Sequence, residues 1–202
     1  MARPQNREAL ASNREKLLNA GEHAMRSKSY GESGINEILT TAGVPKGSFY
    51  HYFDSKEAFG IEVARRYHQR QVEYARNCLD DITRPPVERL RSFFEGARED
   101  MKSRQFAQGC LMCNLSTELA DERPNFQTEL DAHWTALVAE LSKCLDQADL
   151  SDIGLQHLTP DEAADWLLNA WSGALTRMKA SGNDKPLALF MHTIFKTEET
   201  KP

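Results

Sequence analysis

The sequence predicts an all-α fold of about nine helices in two parts. Apolar residues recur at spacings of three and four, as in Val87, Leu90, Phe94, Ala97 and Met101, which is the period of one helix face. Prolines mark where such runs begin, at Pro85-Pro86, Pro124 and Thr159-Pro160-Asp161-Glu162. No stretch alternates apolar and polar residues as a half-buried strand does.

The first helix is expected from about Arg7 to Ser27, on a stripe of Leu10, Leu17, Ala20 and Ala24. Arg7 and Arg14 on this helix either reach a flanking phosphate backbone or simply face solvent. Gly31 and Gly34 then interrupt the chain before a second helix, Ile35 to Ala42, whose Ile35, Ile38 and Leu39 share a face. Gly34 serves as its N-cap, and Glu37 stands near the positive end of its dipole. Gly43 supplies the left-handed backbone of a tight turn. Pro45 opens a third, short helix held inward by Phe49 and Phe53. Lys46, Ser48, Tyr50, His51 and Tyr52 are left on its other faces. Hydroxyls, an imidazole and phenols bond phosphates and base edges alike. Two short helices about a glycine turn, the second so equipped, read as a helix-turn-helix suited to the major groove of DNA.

A long helix follows from Asp54 or Ser55 to about Leu79. Asp54 and Glu57 give it a capping-box-like start, and Lys56 lies in its first turn beside outward-pointing N–H groups, a phosphate-binding arrangement. Further helices are expected after Pro86, from Cys110 to about Leu119, and from Pro124 through Phe126, Leu130, Trp134, Leu137, Leu141 and Cys144. The next runs from Thr159 to about Lys179 through Trp166, Ala170, Trp171, Ala174 and Met178, and the last from near Pro186 through Leu187, Phe190, Met191 and Ile194. Residues 196–202 are polar and are expected to fray. The chain divides into a head at 1–53 and a larger helical body at 54–202.

Composition narrows the class. The chain has 202 residues, 27% charged and 40% hydrophobic, as in ordinary soluble proteins. No apolar run approaches the roughly 20 residues of a membrane span, and the N-terminus lacks the apolar core of a signal peptide. A cytoplasmic protein without membrane partners is expected, its four cysteines held as thiols. The net charge of -5 is unevenly spread: residues 1–56 carry 8 Lys+Arg against 6 Asp+Glu, the remainder 17 against 24. A basic end presented to phosphate and an acidic end kept away fit a DNA binder.

The string Gly43-Val44-Pro45-Lys46-Gly47-Ser48-Phe49-Tyr50-His51-Tyr52-Phe53, followed by Ser55-Lys56-Glu57, resembles the DNA-binding signature of the TetR family of transcriptional regulators. The match is ungapped and covers the N-terminal quarter; it departs at Gly34, where the family often has Thr or Ser. The resemblance implies DNA contacts from Pro45, Lys46, Gly47, Ser48, Tyr50, His51, Tyr52 and Lys56, usually for repression. It also implies a homodimer built on the last two long helices, reading an inverted repeat with two heads one helical turn apart. Leu167, Ala170, Trp171, Ala174, Met178, Phe190 and Ile194 are the expected interface, with core packing inside one chain as the alternative. No enzyme and no cofactor are implied. A small-molecule effector pocket in the body is implied, with Phe94, Trp134, Trp171 and Lys179 among its candidate lining; Lys179 equally suits a helix C-terminus as a charge complementing the dipole.

Gly109-Cys110-Leu111-Met112-Cys113 places a C-x-x-C where a helix begins. A thiol there has a lowered pKa and reacts as thiolate with oxidants and electrophiles. Cys110 and Cys113 thus read as a redox or electrophile sensor, or as structural thiols. Zinc would need a second pair of ligands, and Cys78, Cys144 and the scattered His offer none at ligand spacing. Members of the TetR family with a similar head and a Gly-Cys-Leu at this place respond to reactive electrophiles or small unsaturated acids. The rival functions are a thiol-disulfide oxidoreductase on Cys110 and Cys113, which lacks the βαβ context of that chemistry, and a helical module that binds protein rather than DNA.

Overall fold

The computed structural model describes residues 4–195, with side chains from residue 9 onward. The Arg7 side chain and the expected fraying of 196–202 lie outside the described residues. Eight α-helices and two short 3-10 segments make up the regular structure among those described: α1 (Pro4–Ser27), α2 (Ile35–Ala42), a 3-10 segment (Lys46–His51), α3 (Lys56–Leu79), α4 (Pro86–Ser103), α5 (Leu111–Leu119), α6 (Pro124–Leu145), a second 3-10 segment (Leu150–Ile153), α7 (Pro160–Ser181) and α8 (Lys185–Ile194). The nine expected helical segments are all present, and no described residue lies in a strand.

Three details depart from expectation. The reading segment Lys46–His51 is wound as a 3-10 helix, with the Tyr52 N–H donating to the Phe49 carbonyl at 2.9 Å. Six residues are too few to repay α-helix nucleation, and the tighter turn suits short pieces. Ser55, not Asp54, caps α3, its Oγ accepting the Ala58 N–H at 3.0 Å. The unforeseen Leu150–Ile153 turn is capped by Asp149, which accepts the Ser151 N–H at 2.9 Å. Elsewhere local chemistry acts as read: Gly43 sits at φ 65° in the left-handed region, and Thr159 with Glu162 forms a reciprocal capping box at the start of α7.

The chain packs as two compact units. The first takes Met1–His68 with Cys110–Leu130, the second Gln69–Gly109 with Asp131–Pro202. α5 therefore belongs to the first unit, where it packs on α1. The core of this unit joins Leu17, Met25, Ile38, Leu39, Val44, Phe49, Phe53, Phe59, Val63, Leu111, Met112, Leu115 and Phe126, all buried. Phe59 from α3 lies in a slot on α1 opened by Gly21, where a Cβ would stand 2.7 Å from the Phe59 Cε1 and closer still to Cζ.

In the second unit Phe94 packs against Phe190, Trp171 and Phe195, with centroids 4.9, 5.3 and 5.9 Å away. Buried Arg89 donates to the Leu79 carbonyl at 2.7 Å and to Gln147 Oε1 at 2.9 Å, satisfying a carbonyl that the end of α3 leaves open. Arg98 bridges Glu95 and Asp184, tying α4 to the start of α8.

Gly21→Ala tests the slot. Overpacking a fixed ring costs about 1–3 kcal/mol, against a helix-propensity gain of at most about 1 kcal/mol. The expected result is a lower midpoint in thermal or urea unfolding, with the helical circular dichroism retained.

Candidate functional site

The reading segment is positioned from beneath. Phe49 and Phe53 are buried against Phe59, with centroids 5.3 and 4.7 Å away. This fixes what remains outside. Pro45, Lys46, Gly47, Tyr50 and His51 are exposed, Tyr50 at 70% of its surface, and Ser48 and Tyr52 are half-buried. The Ser48 hydroxyl donates to the Pro45 carbonyl at 2.5 Å, leaving its oxygen free to accept. Tyr52 is steadied by α1, its hydroxyl accepting from Asn13 Nδ2 at 3.3 Å. Arg14, read as a possible backbone contact, instead stacks over the Phe53 ring at 5.4 Å and pairs with Glu62.

Lys56 stands in the first turn of α3 as expected, but its ammonium turns inward. It donates to the Gly31 carbonyl at 3.2 Å and lies 4.6 Å from the Tyr30 ring centre. Partial burial lowers its pKa, with nearby Glu118 opposing the shift. Glu118, from α5, accepts the backbone N–H of Tyr30 at 2.8 Å and of Gly31 at 2.7 Å. The linker between α1 and α2 is thus gripped by two charged side chains.

Cys110 is the N-cap residue of α5 and is half-buried. No first-turn N–H reaches full capping geometry with the neutral thiol. Even so, the Cys113 thiol, the N–H groups of Cys113 and Met112, and the Tyr67 hydroxyl favour the ionised sulfur, outweighing burial and bringing its pKa down to about 6. The Tyr67 hydroxyl lies 3.7 Å from the sulfur. Burial, then the sulfur's charge, raise the Tyr67 pKa well above the usual phenol value, so Tyr67 keeps its proton and donates. Buried Arg26 lies 5.6 Å from the Tyr67 ring centre. Such a thiol ionises at lower pH than an ordinary cysteine. None of Cys78, Cys110, Cys113 and Cys144 is in a disulfide, and burial raises the pKa of Cys144.

The remaining candidates divide. Phe94 and Trp171 are buried against each other, and Trp134 is half-buried, edge-on to His133 at 5.1 Å. Lys179 is exposed near the end of α7. Cys110 and Cys113 lie in the first unit, these four in the second. Of the expected interface residues, Leu167, Trp171, Met178, Phe190 and Ile194 are buried within the chain's own fold, while Ala170 and Ala174 are half-exposed. The outer stripe of α7 and α8 carries Trp166, Gly173 and Leu189, and Trp166, Ala170, Ala174, Arg177, Leu189 and Thr193 help line a groove of about 360 Å³. The small residues Ala170 and Ala174 were visible in sequence, but not their separation from Leu167, Trp171 and Met178, which face the core. Nothing in the linear sequence connects Tyr67 or Arg26 to Cys110, or Glu118 to residues 30 and 31.

A three-helix head with a glycine turn, an outward polar-aromatic segment and a separate helical unit defines a helix-turn-helix regulator. Residues 17–63 match the model for bacterial regulatory proteins of the tetR family, and residues 86–194 match a tetracyclin repressor-like C-terminal domain. The chain belongs to the TetR family of transcriptional regulators. It is similar to the transcriptional repressor DhaR of Mycobacterium sp. strain GP1, 34% identical across 91% of this chain and 90% of that protein. It is also similar to the repressor NemR of Escherichia coli K12, 32% identical across 86% and 87%. Among solved structures, a regulatory protein TetR from Rhodobacter sphaeroides superposes with a TM-score of 0.83 at 30% identity, covering 89% of this chain and 95% of that one. The reduced form of E. coli NemR gives 0.78 at 29%, covering 91% and 95%. These relatives are regulators, and no enzyme family is indicated. No helix among the described residues is long and apolar enough to cross a membrane.

The thiol makes a pH-resolved prediction. Alkylation of Cys110, followed by mass mapping, should rise in rate through a midpoint near pH 6 and then level off. Tyr67→Phe removes a donor that favours the ionised sulfur and should move the midpoint upward; a midpoint near that of free cysteine in the unaltered protein would contradict the geometry.

Proposed function

We propose that this protein is a homodimeric transcriptional repressor that binds an inverted-repeat operator and releases it when an electrophile or oxidant modifies Cys110. The carrying observation is the half-buried Cys110 sulfur, 3.7 Å from the Tyr67 hydroxyl, at the start of a helix that packs in the same compact unit as the reading segment. An electron-poor alkene is a suitable signal. The thiolate sulfur forms a bond to the β-carbon, the alkene π pair moves to the α-carbon, and that carbon takes a proton from water. In this reading the adduct, set on a sulfur 3.7 Å from the Tyr67 hydroxyl, displaces α5. Modification then changes the population of dimers whose two heads fit successive major grooves.

The functional head is 1–53, with Pro45, Lys46, Gly47, Ser48, Tyr50, His51 and Tyr52 as the DNA-facing set. Lys56 serves chiefly by holding the Gly31 carbonyl. The body, 54–202, supplies the dimer contact, through the exposed stripe of Trp166, Ala170, Gly173, Ala174 and Leu189, with Phe190 and Ile194 at the floor of the groove. Relatives named repressors support the sign of regulation, and the relative crystallised in a reduced form supports a thiol signal.

Footprinting on the DNA upstream of the protein's own gene tests the reading; an inverted repeat should be protected at moderate salt. Tyr50→Ala should weaken binding about tenfold or more while leaving the melting temperature nearly unchanged, since the ring is mostly exposed. Equal affinity would remove Tyr50 from the reading face. Cys110→Ser should bind the operator as the native protein does and remain bound after treatment with N-ethylmaleimide; normal release from this variant would return Cys110 to a structural role.

A further inference from the structure

We infer that Glu118 is a positioning residue for DNA reading, a latch through which α5 carries the state of Cys110 to the linker that launches the helix-turn-helix. The coupling half of this inference rests on the function proposed above; the latch itself does not.

The two groups stand at opposite ends of one short helix. Cys110 is its N-cap and Glu118 lies in its last turn, about 12 Å apart along the axis at 1.5 Å per residue. The helix is locked between them by Leu111, Met112, Leu115 and Leu119, all buried, so it moves as a body rather than bending. At the far end the Glu118 carboxylate accepts both the Tyr30 and the Gly31 N–H, at 2.8 and 2.7 Å. These are charge-assisted bonds, stronger than neutral ones. The Gly31 carbonyl is held on its other side by Lys56, at 3.2 Å, and the Tyr30 ring is set edge-on to Phe126 at 5.2 Å. Four residues after Gly31, α2 begins. Its own N-terminus has no side-chain cap, so the direction in which it leaves depends on how the preceding linker is held. A displacement of the Cys110 end therefore pulls on the pair of bonds that aim α2, and the reading segment follows α2 through Gly43 and Val44.

A carboxylate is needed because two N–H groups are bound by two oxygens. Glutamine keeps the shape but offers one oxygen, and its amide nitrogen faces the second N–H. The test uses the full chain, the upstream duplex protected in footprinting, and hydrogen exchange read on the peptide spanning residues 28–34. In unmodified Glu118→Gln, exchange in that peptide should accelerate and operator affinity should fall about tenfold, while the rate of Cys110 alkylation stays the same. Unchanged exchange and affinity would overturn the latch. In the native protein, N-ethylmaleimide on Cys110 should both accelerate exchange at 28–34 and loosen the operator; this arm holds even if the variant folds poorly. Loss of the operator with no change at 28–34 would overturn α5 as the route. Retention of the operator after complete alkylation would overturn Cys110 as the sensor, and the Glu118→Gln arm would still decide the latch.

Discussion

One buried ring organises the first unit. Phe59 projects from α3 into the slot that Gly21 leaves on α1, and the same ring seats Phe49 and Phe53 of the reading segment. A 3-10 turn of six residues has too few internal hydrogen bonds to hold its own place. Its position is set by two aromatic side chains, each contributing about 1.5–3 kcal/mol by leaving water. Because Phe49 and Phe53 point inward four residues apart, Tyr50 and His51 have no direction left but outward. The chemistry of the reading face follows from the packing of its back.

Much of this could be read from residue order. Helix borders are written locally, in Pro86, Pro124 and the Thr159–Glu162 box, and local rules decide them. The helix-turn-helix was legible because Gly43, Pro45 and the Phe pair each carry a separate physical signal in one short stretch. The cysteine at a helix start was legible too. What could not be read is what lies against it. Tyr67 meets Cys110 from 43 residues away, and Glu118 reaches Tyr30 from 88; no period or cap rule links such pairs. For the same reason Lys56 was assigned to phosphate from its place in a first turn, whereas the Gly31 carbonyl and the Tyr30 ring claim its ammonium. On α7 the apolar positions were visible, but only the fold separates Leu167 and Met178, turned into the core, from Trp166 and the alanines on the outer stripe.

Packing also joins segments that the sequence keeps apart. Residues 110–130 are distant from the head in sequence yet belong to its compact unit. The half-buried Cys110 thiol, the Tyr67 hydroxyl and buried Arg26 lie together inside the unit that also holds the helix-turn-helix. The acidic excess of the chain lies elsewhere, leaving residues 1–56 mildly basic.

The N-cap position of α5 has a consequence of its own. Most helices are capped by a side chain whose acceptor strength is constant. Here the group at the helix start is a sulfur near its point of ionisation. As thiolate it is an anion at the positive end of the dipole, worth about 0.3–1 kcal/mol. Alkylation, disulfide formation and simple protonation each abolish that charge. A nine-residue helix has little stability of its own, so its first turn is where such a loss is felt. Chemically unlike events thus bear on one structural element, and those that attach a group add its bulk to the loss of the charge.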